Sequence, residues 1–153
     1  MALDPKKWTV KTQEAFAAAI DQAKAQHNPE LTPDHLLVAL TDQEGTVVVP
    51  VLAKLGQSPG MVRDRAQTAV DKLPSAVGGS EPRLSRELDN VTQRAEQYRK
   101  DLKDDYVSVE HLVLAILDER PAGASTKLLQ QFGVTREKFL QALTAVRGSQ
   151  RVT

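Results

Sequence analysis

The chain has 153 residues, 41% of them hydrophobic but only 4% aromatic, and its 20 Lys plus Arg are matched by 20 Asp plus Glu. The apolar share excludes wholesale disorder and implies a core of mostly Leu, Val and Ala, while a net charge of +0 with no basic block excludes the electrostatic footprint of a nucleic-acid binder. Having no cysteine, the chain forms no disulfide or thiolate metal site. The polar start MALDPKKWTVKTQ reads as neither signal peptide nor anchor, and no run approaches the ~20 apolar residues needed to cross a bilayer, so the expected setting is the cytoplasm.

In chain order, Thr9 to Gln26 reads as a helix, with Phe16, Ala19, Ile20 and Ala23 at helical spacing. Asn28-Pro29 breaks it. Thr32-Pro33-Asp34 starts the next: a cap, a proline where its missing N–H costs nothing, and an acid at the positive end of the dipole. Leu36, Leu37, Ala39 and Leu40 form its apolar face. Pro50 argues against a central strand in VVVPVL, and a short helix from about Val49 to Leu55, closed by Gly56, fits better. Ser58-Pro59 opens another helix, with Val62, Ala66, Ala69, Val70 and Leu73 on one side.

PSAVGGSEP, from Pro74 to Pro82, reads as a linker between halves. Ser85 then opens a helix to about Lys100 that carries Leu88, Val91, Ala95 and Tyr98 on one face. Ser108 caps a helix containing Leu112, Val113, Ala115 and Ile116. A short helix from Ala124 to Phe132 ends at Gly133. Thr135 caps the last, with Phe139, Leu140, Leu143 and Val146 expected inward, and Gly148 stops it.

LTPDHLLVAL at Leu31–Leu40 and VSVEHLVLAI at Val107–Ile116 stand 76 positions apart and match in cap, acid, histidine and apolar stripe. Leu55-Gly56 matches Phe132-Gly133 after one residue of slippage. The expected fold is all-α: about eight helices as a duplicated four-helix unit with a pseudo-twofold axis. Repeat one covers about residues 9–73, the linker 74–84 and repeat two about 85–147. Residues 1–148 make one domain, and 149–153 begin a further linker.

Chemistry is sparse. No phosphate-binding loop or nucleophile elbow is present. His35 and His111 occupy equivalent places, but each is alone on its helix where a metal needs three or four convergent donors, so a structural role is expected. Asp104, Asp105 and Glu110 resemble a carboxylate set, although the helix dipole already accounts for Glu110. A non-catalytic binding module with no cofactor is the expectation.

The repeated T/S-x-D/E-H-L segment resembles the Clp N-terminal repeat, which forms the N-domain of Hsp100-class AAA+ unfoldases. The likeness covers nearly the whole chain. DPKKWTVKTQEAFAAAIDQA, the Leu73-Pro74 exit, PRLSRELDNV and the ending AVRGSQRVT are most similar to the ClpB type. The resemblance implies an N-domain that engages unfolded or aggregated proteins for an ATP-driven hexamer working with the DnaK system. ATP and Mg belong to ATPase domains beyond this chain, which is itself expected to be monomeric, bound to neither nucleic acid nor membrane. An adaptor-docking or regulatory N-domain of the ClpC or ClpA type is the alternative. The functional positions the resemblance implies are Thr9, Asp104 and Glu110, beside a shallow apolar groove walled by Val91, Ala95, Tyr98, Val109 and His111. Ordinary core packing serves Val91, Ala95 and Tyr98 equally well, and a plain helix cap serves Thr9.

Overall fold

A computed structural model describes residues 4–79, 81–148 and 152. Eight helices are found among the described residues: α1 (Val10–Ala25), α2 (Pro33–Asp42), α3 (Val48–Lys54), α4 (Pro59–Asp71), α5 (Arg86–Asp101), α6 (Val109–Leu117), α7 (Ala124–Gln131) and α8 (Arg136–Arg147). Thr9, Thr32, Ser58, Ser85 and Thr135 each cap a helix through the side-chain oxygen, as their positions before the apolar periodicity predict. The one-residue slippage between repeats lies in α7, which has 8 residues where α3 has 7. Gly56 and Gly133 follow these two helices at φ 78° and 75°. A Cβ would meet nothing within 4 Å at either site, so their requirement is one of backbone conformation alone. Gly133→Ala is therefore expected to cost about 1 kcal/mol, read as a drop in the urea midpoint at unchanged m-value; an unchanged midpoint contradicts it.

The centre of the molecule is the repeated decamer. Every residue of α6 is buried, as are Pro33 to Thr41 of α2. A helix apolar nearly all round must be covered on all sides, and the other helices supply that cover. Helix α1 packs on α2 and α5 on α6, while α3 lies against α8 and α4 against α7, so the two halves are crossed as well as stacked. Phe139, Leu36, Leu112 and Leu114 are among the largest side chains fully enclosed. Val146 departs from expectation: it is 37% exposed, and Ala142 takes the inward place, because the last turn of α8 runs past the core.

Two short parallel pairings, which helical periodicity does not announce, lock the halves together. Strand β1 (Glu30–Leu31) pairs with β2 (Arg83–Leu84). In the matching place Trp8 bridges Val107. The Thr9 N–H donates to the Val107 carbonyl at 3.0 Å, as the Ser85 N–H does to that of Leu31 at 2.9 Å. Each half's decamer thus holds the segment leading into the other half's long helix.

Candidate functional site

The capping histidines come first, because they fix the loops around the site. The Thr32 N–H donates to His35 Nδ1 at 3.0 Å, and His35 Nε2 lies 2.8 Å from Asn28 Oδ1. In the second half the Ser108 N–H donates to His111 Nδ1 at 2.8 Å, and His111 Nε2 lies 2.7 Å from Asp104 Oδ2. A backbone N–H can only donate, so each Nδ1 carries a lone pair and each Nε2 carries the hydrogen. Both rings are neutral and wholly buried. Burial pushes His35 down to about 4. It also holds His111 below its ordinary value, with Arg147 opposing a second charge and Glu110 and Asp104 pulling the other way. The tautomer required by Ser108 agrees with that direction. His27 and Lys103, in left-handed conformation at φ 56° and 59°, turn the chain so that Asn28 and Asp104 face the rings.

The twins differ in one respect. Asn28 is neutral and meets the Pro74 carbonyl through its amide. Asp104 is charged and 2% exposed, and its oxygens are saturated. Arg147 Nη2 and Nη1 grip it at 2.6 and 3.1 Å, His111 Nε2–H donates at 2.7 Å, and the Val152 N–H donates to Oδ1 at 2.8 Å. Burial pushes the Asp104 carboxyl up, but Arg147, the Val152 amide and His111 together hold it below the usual range. Arg147 also lies 3.6 Å from Glu110, itself only 4% exposed. Asp105, by contrast, is exposed.

Beside this cluster opens a cleft of about 190 Å³ between the start of α1, the turn before α3 and the start of α6. Thr9, Lys11, Gly45, Thr46, Val47, Ser108, Val109, Glu110 and Val152 line it. Thr9, which caps α1 by accepting the Thr12 N–H at 3.1 Å, stands at its mouth. Of the positions expected from sequence, the cleft gathers Thr9, Val109 and Glu110, with Asp104 behind them. Val91, Ala95 and His111 are not groove wall: they are buried in the interior. Tyr98 is also buried, and its hydroxyl faces elsewhere, donating to Asp118 Oδ2 at 3.1 Å and accepting from Arg136 Nε at 2.5 Å. The α5 stripe is the face turned to the core, so it cannot form an open wall. Val47, Thr46 and Lys11 supply the wall instead. The sequence signal for them was position: they lie in the same repeat as Thr9, near the start of its long helix and of its short one.

Comparison with known proteins agrees with this architecture. Residues 7–132 match the model of the Clp repeat (R) N-terminal domain. The chain belongs to the Clp N-terminal repeat family. The chaperone protein ClpB of Mycobacterium bovis is 40% identical to this Clp N-domain over 146 residues, and that of Porphyromonas gingivalis 38% over the same length, each match covering 95% of the chain. The domain spans only 17% of the length of these relatives. Among solved structures, the Hsp104 N-terminal domain from Candida albicans superposes with a TM-score of 0.83 at 23% identity, covering 95% of both chains. A complex of the ClpV N-domain with VipB peptide gives 0.75 at 22%, covering 100% of both. These two establish a shared fold. Among the described residues, no helix is long and apolar enough to cross a membrane.

Proposed function

We propose that this Clp N-domain captures exposed apolar segments of unfolded or aggregated polypeptides in the cleft between α1, α3 and α6, as the substrate-engaging module of a cytoplasmic ClpB-type disaggregase. The observation that carries this is the cleft itself, an opening lined by Val47 and Val109 with Thr9, Lys11 and Glu110 around it. About 190 Å³ is below the roughly 300–1,000 Å³ of small-molecule sites, and suits one or two aliphatic side chains. An unfolded chain differs from a folded one in displaying such side chains, so a shallow apolar seat recognises the state of a protein without reading its sequence. ATP hydrolysis, the hexameric ring and cooperation with the DnaK system belong to the rest of the parent protein. Several weak N-domain sites on one ring act together by avidity while each lets go readily.

Adaptor docking is the second reading, favoured by one fact: a ClpV N-domain of the same fold has been solved with a VipB peptide. Amide NMR titration with a permanently unfolded protein, beside a folded control, separates the two. Direct capture predicts shifts at Thr9, Thr46, Val47 and Ser108 to Glu110 with the unfolded partner only. Val47→Glu is expected to weaken binding at least about tenfold, because burying one valine side chain contributes roughly 1.5–3 kcal/mol. Absence of shifts with the unfolded protein, alongside saturable binding of one defined peptide, would replace capture by adaptor docking.

A further inference from the structure

The cleft already has an internal neighbour. Beyond α8, Val152 is joined to the second-half loop by two main-chain hydrogen bonds: its N–H donates to Asp104 Oδ1 at 2.8 Å, and its carbonyl accepts from the Asp105 N–H at 2.7 Å. The residue is half-buried and lines the cleft together with Thr9, Val47, Val109 and Glu110. Both polar groups of one residue's backbone are therefore read at the edge of the apolar cleft. Nothing in those two hydrogen bonds depends on which residue supplies them, since every residue except proline carries the same donor and acceptor.

The pseudo-symmetry of the fold shows that the open cleft and the charged acceptor are peculiar to one half; in the other, Ala76, 76 residues before Val152, donates its N–H to the His27 carbonyl at 2.8 Å instead. The positions 76 residues from Thr9, Lys11, Val109, Glu110 and Val47 are Ser85, Glu87, Pro33, Asp34 and Gly123. There the equivalent space is closed. Ser125 Oγ donates to Asp34 Oδ1 at 2.5 Å, and both residues are buried. At Gly123 a Cβ would come within 3.1 Å of Glu119 Oε2, so the Glu119 carboxyl fills the place that Val47 holds in the first half. In the twin loop Asn28 Oδ1 accepts from His35, and the side-chain amide is spent on the Pro74 carbonyl. At the open cleft, by contrast, Asp104 Oδ1 accepts from passing backbone while Arg147 holds both oxygens of the carboxylate.

We propose that Asp104 and Asp105 form a main-chain clamp for an extended apolar segment, and that Val152 is its built-in occupant, displaced when a client polypeptide takes the same two hydrogen bonds and the same seat. The client's chemistry follows: an extended stretch with an aliphatic side chain at the clamped position and a free N–H there, so that proline is rejected. The proposal rests on the cleft being the client site and adds how the client is held and what it must displace.

The test uses the whole chain and a reduced, carboxymethylated protein that cannot refold. Val152→Pro removes the donor to Asp104 and leaves the other lining residues, Thr9, Val47, Val109 and Glu110 among them, unchanged. Hydrogen exchange of the Val152 and Asp105 amides in the unaltered chain should be slowed at least about tenfold against free-chain rates. Val152→Pro should bind the unfolded probe about tenfold more tightly, the scale of losing one hydrogen bond to a charged acceptor. The Asp105 amide should shift on binding in both proteins. Free-chain exchange at Val152, or equal affinity of the two proteins for the probe, overturns Val152 as the clamp's built-in occupant and leaves the cleft reading standing. Failure of both proteins to bind the probe overturns the cleft reading and the clamp with it.

Discussion

Asp104→Ala is expected to cost the folded domain about 3–5 kcal/mol, the usual range for breaking a buried ion pair. The carboxylate is enclosed, and it neutralises Arg147 while accepting from His111. Removing it leaves the His111 Nε2–H without an acceptor inside the protein and puts the Arg147 guanidinium beside a void. Against a total stability of about 5–15 kcal/mol this is a large fraction, and urea denaturation reads it directly. Asp104→Asn should cost clearly less, because the Asn28 twin shows that an amide oxygen serves a capping histidine in this loop. A loss from Asp104→Ala of under about 0.5 kcal/mol, the range of ordinary surface changes, would show that the cluster does not hold the fold.

Acid should destabilise the domain well above the ordinary carboxylate range. His35 binds its proton near pH 6.5 when unfolded and only at about 4 when folded. Between those values the unfolded chain carries the extra proton, so stability is complete above pH 6.5 and falls as pH drops toward 4. The shift corresponds to roughly 3 kcal/mol from His35 alone. His111, also depressed by burial, adds in the same direction. Asp34 and Glu119 oppose it, since burial pushes their carboxyls up and the folded state protonates them first. Comparing stability at pH 7 and pH 5 in the unaltered chain and in His35→Gln isolates the term. Gln is itself a residue of capping boxes and does not titrate. The slope should flatten in the variant; an identical slope in both proteins would rule out His35 as its source.

The features legible in the sequence were those written locally. Thr32-Pro33-Asp34, Thr135 and the glycines at 56 and 133 announce helix ends through the chemistry of unpaired backbone groups, and the structure has those ends. The doubled decamer announced the duplication because two buried central helices need the same stripe. What was not legible depends on which side of an element faces water. Val91, Ala95 and Tyr98 have the spacing of any apolar face, and that spacing is equally that of a core. Val146 continues the α8 periodicity, but its turn has run past the interior. The partnership of Asp104 with Arg147 joins residues distant in sequence, and no local pattern announces it. One signal was available: aligning the repeats one position at a time sets Asn28 against Asp104, where the two halves diverge in charge.

The crossed pairings of Trp8 with Val107 and of β1 with β2 make each repeat the missing edge of the other. A lone half would present an unpaired strand and an uncovered central helix. Both pairings join stretches of chain distant in sequence, Trp8 with Val107 and Glu30 with Arg83, so long loops must close before either rewards the fold. Folding of such a domain is expected to be all-or-none, with the same denaturation midpoint for every probe. For a module proposed to capture exposed apolar chain, this has a direct benefit: no half-folded form of itself persists to compete as its own client.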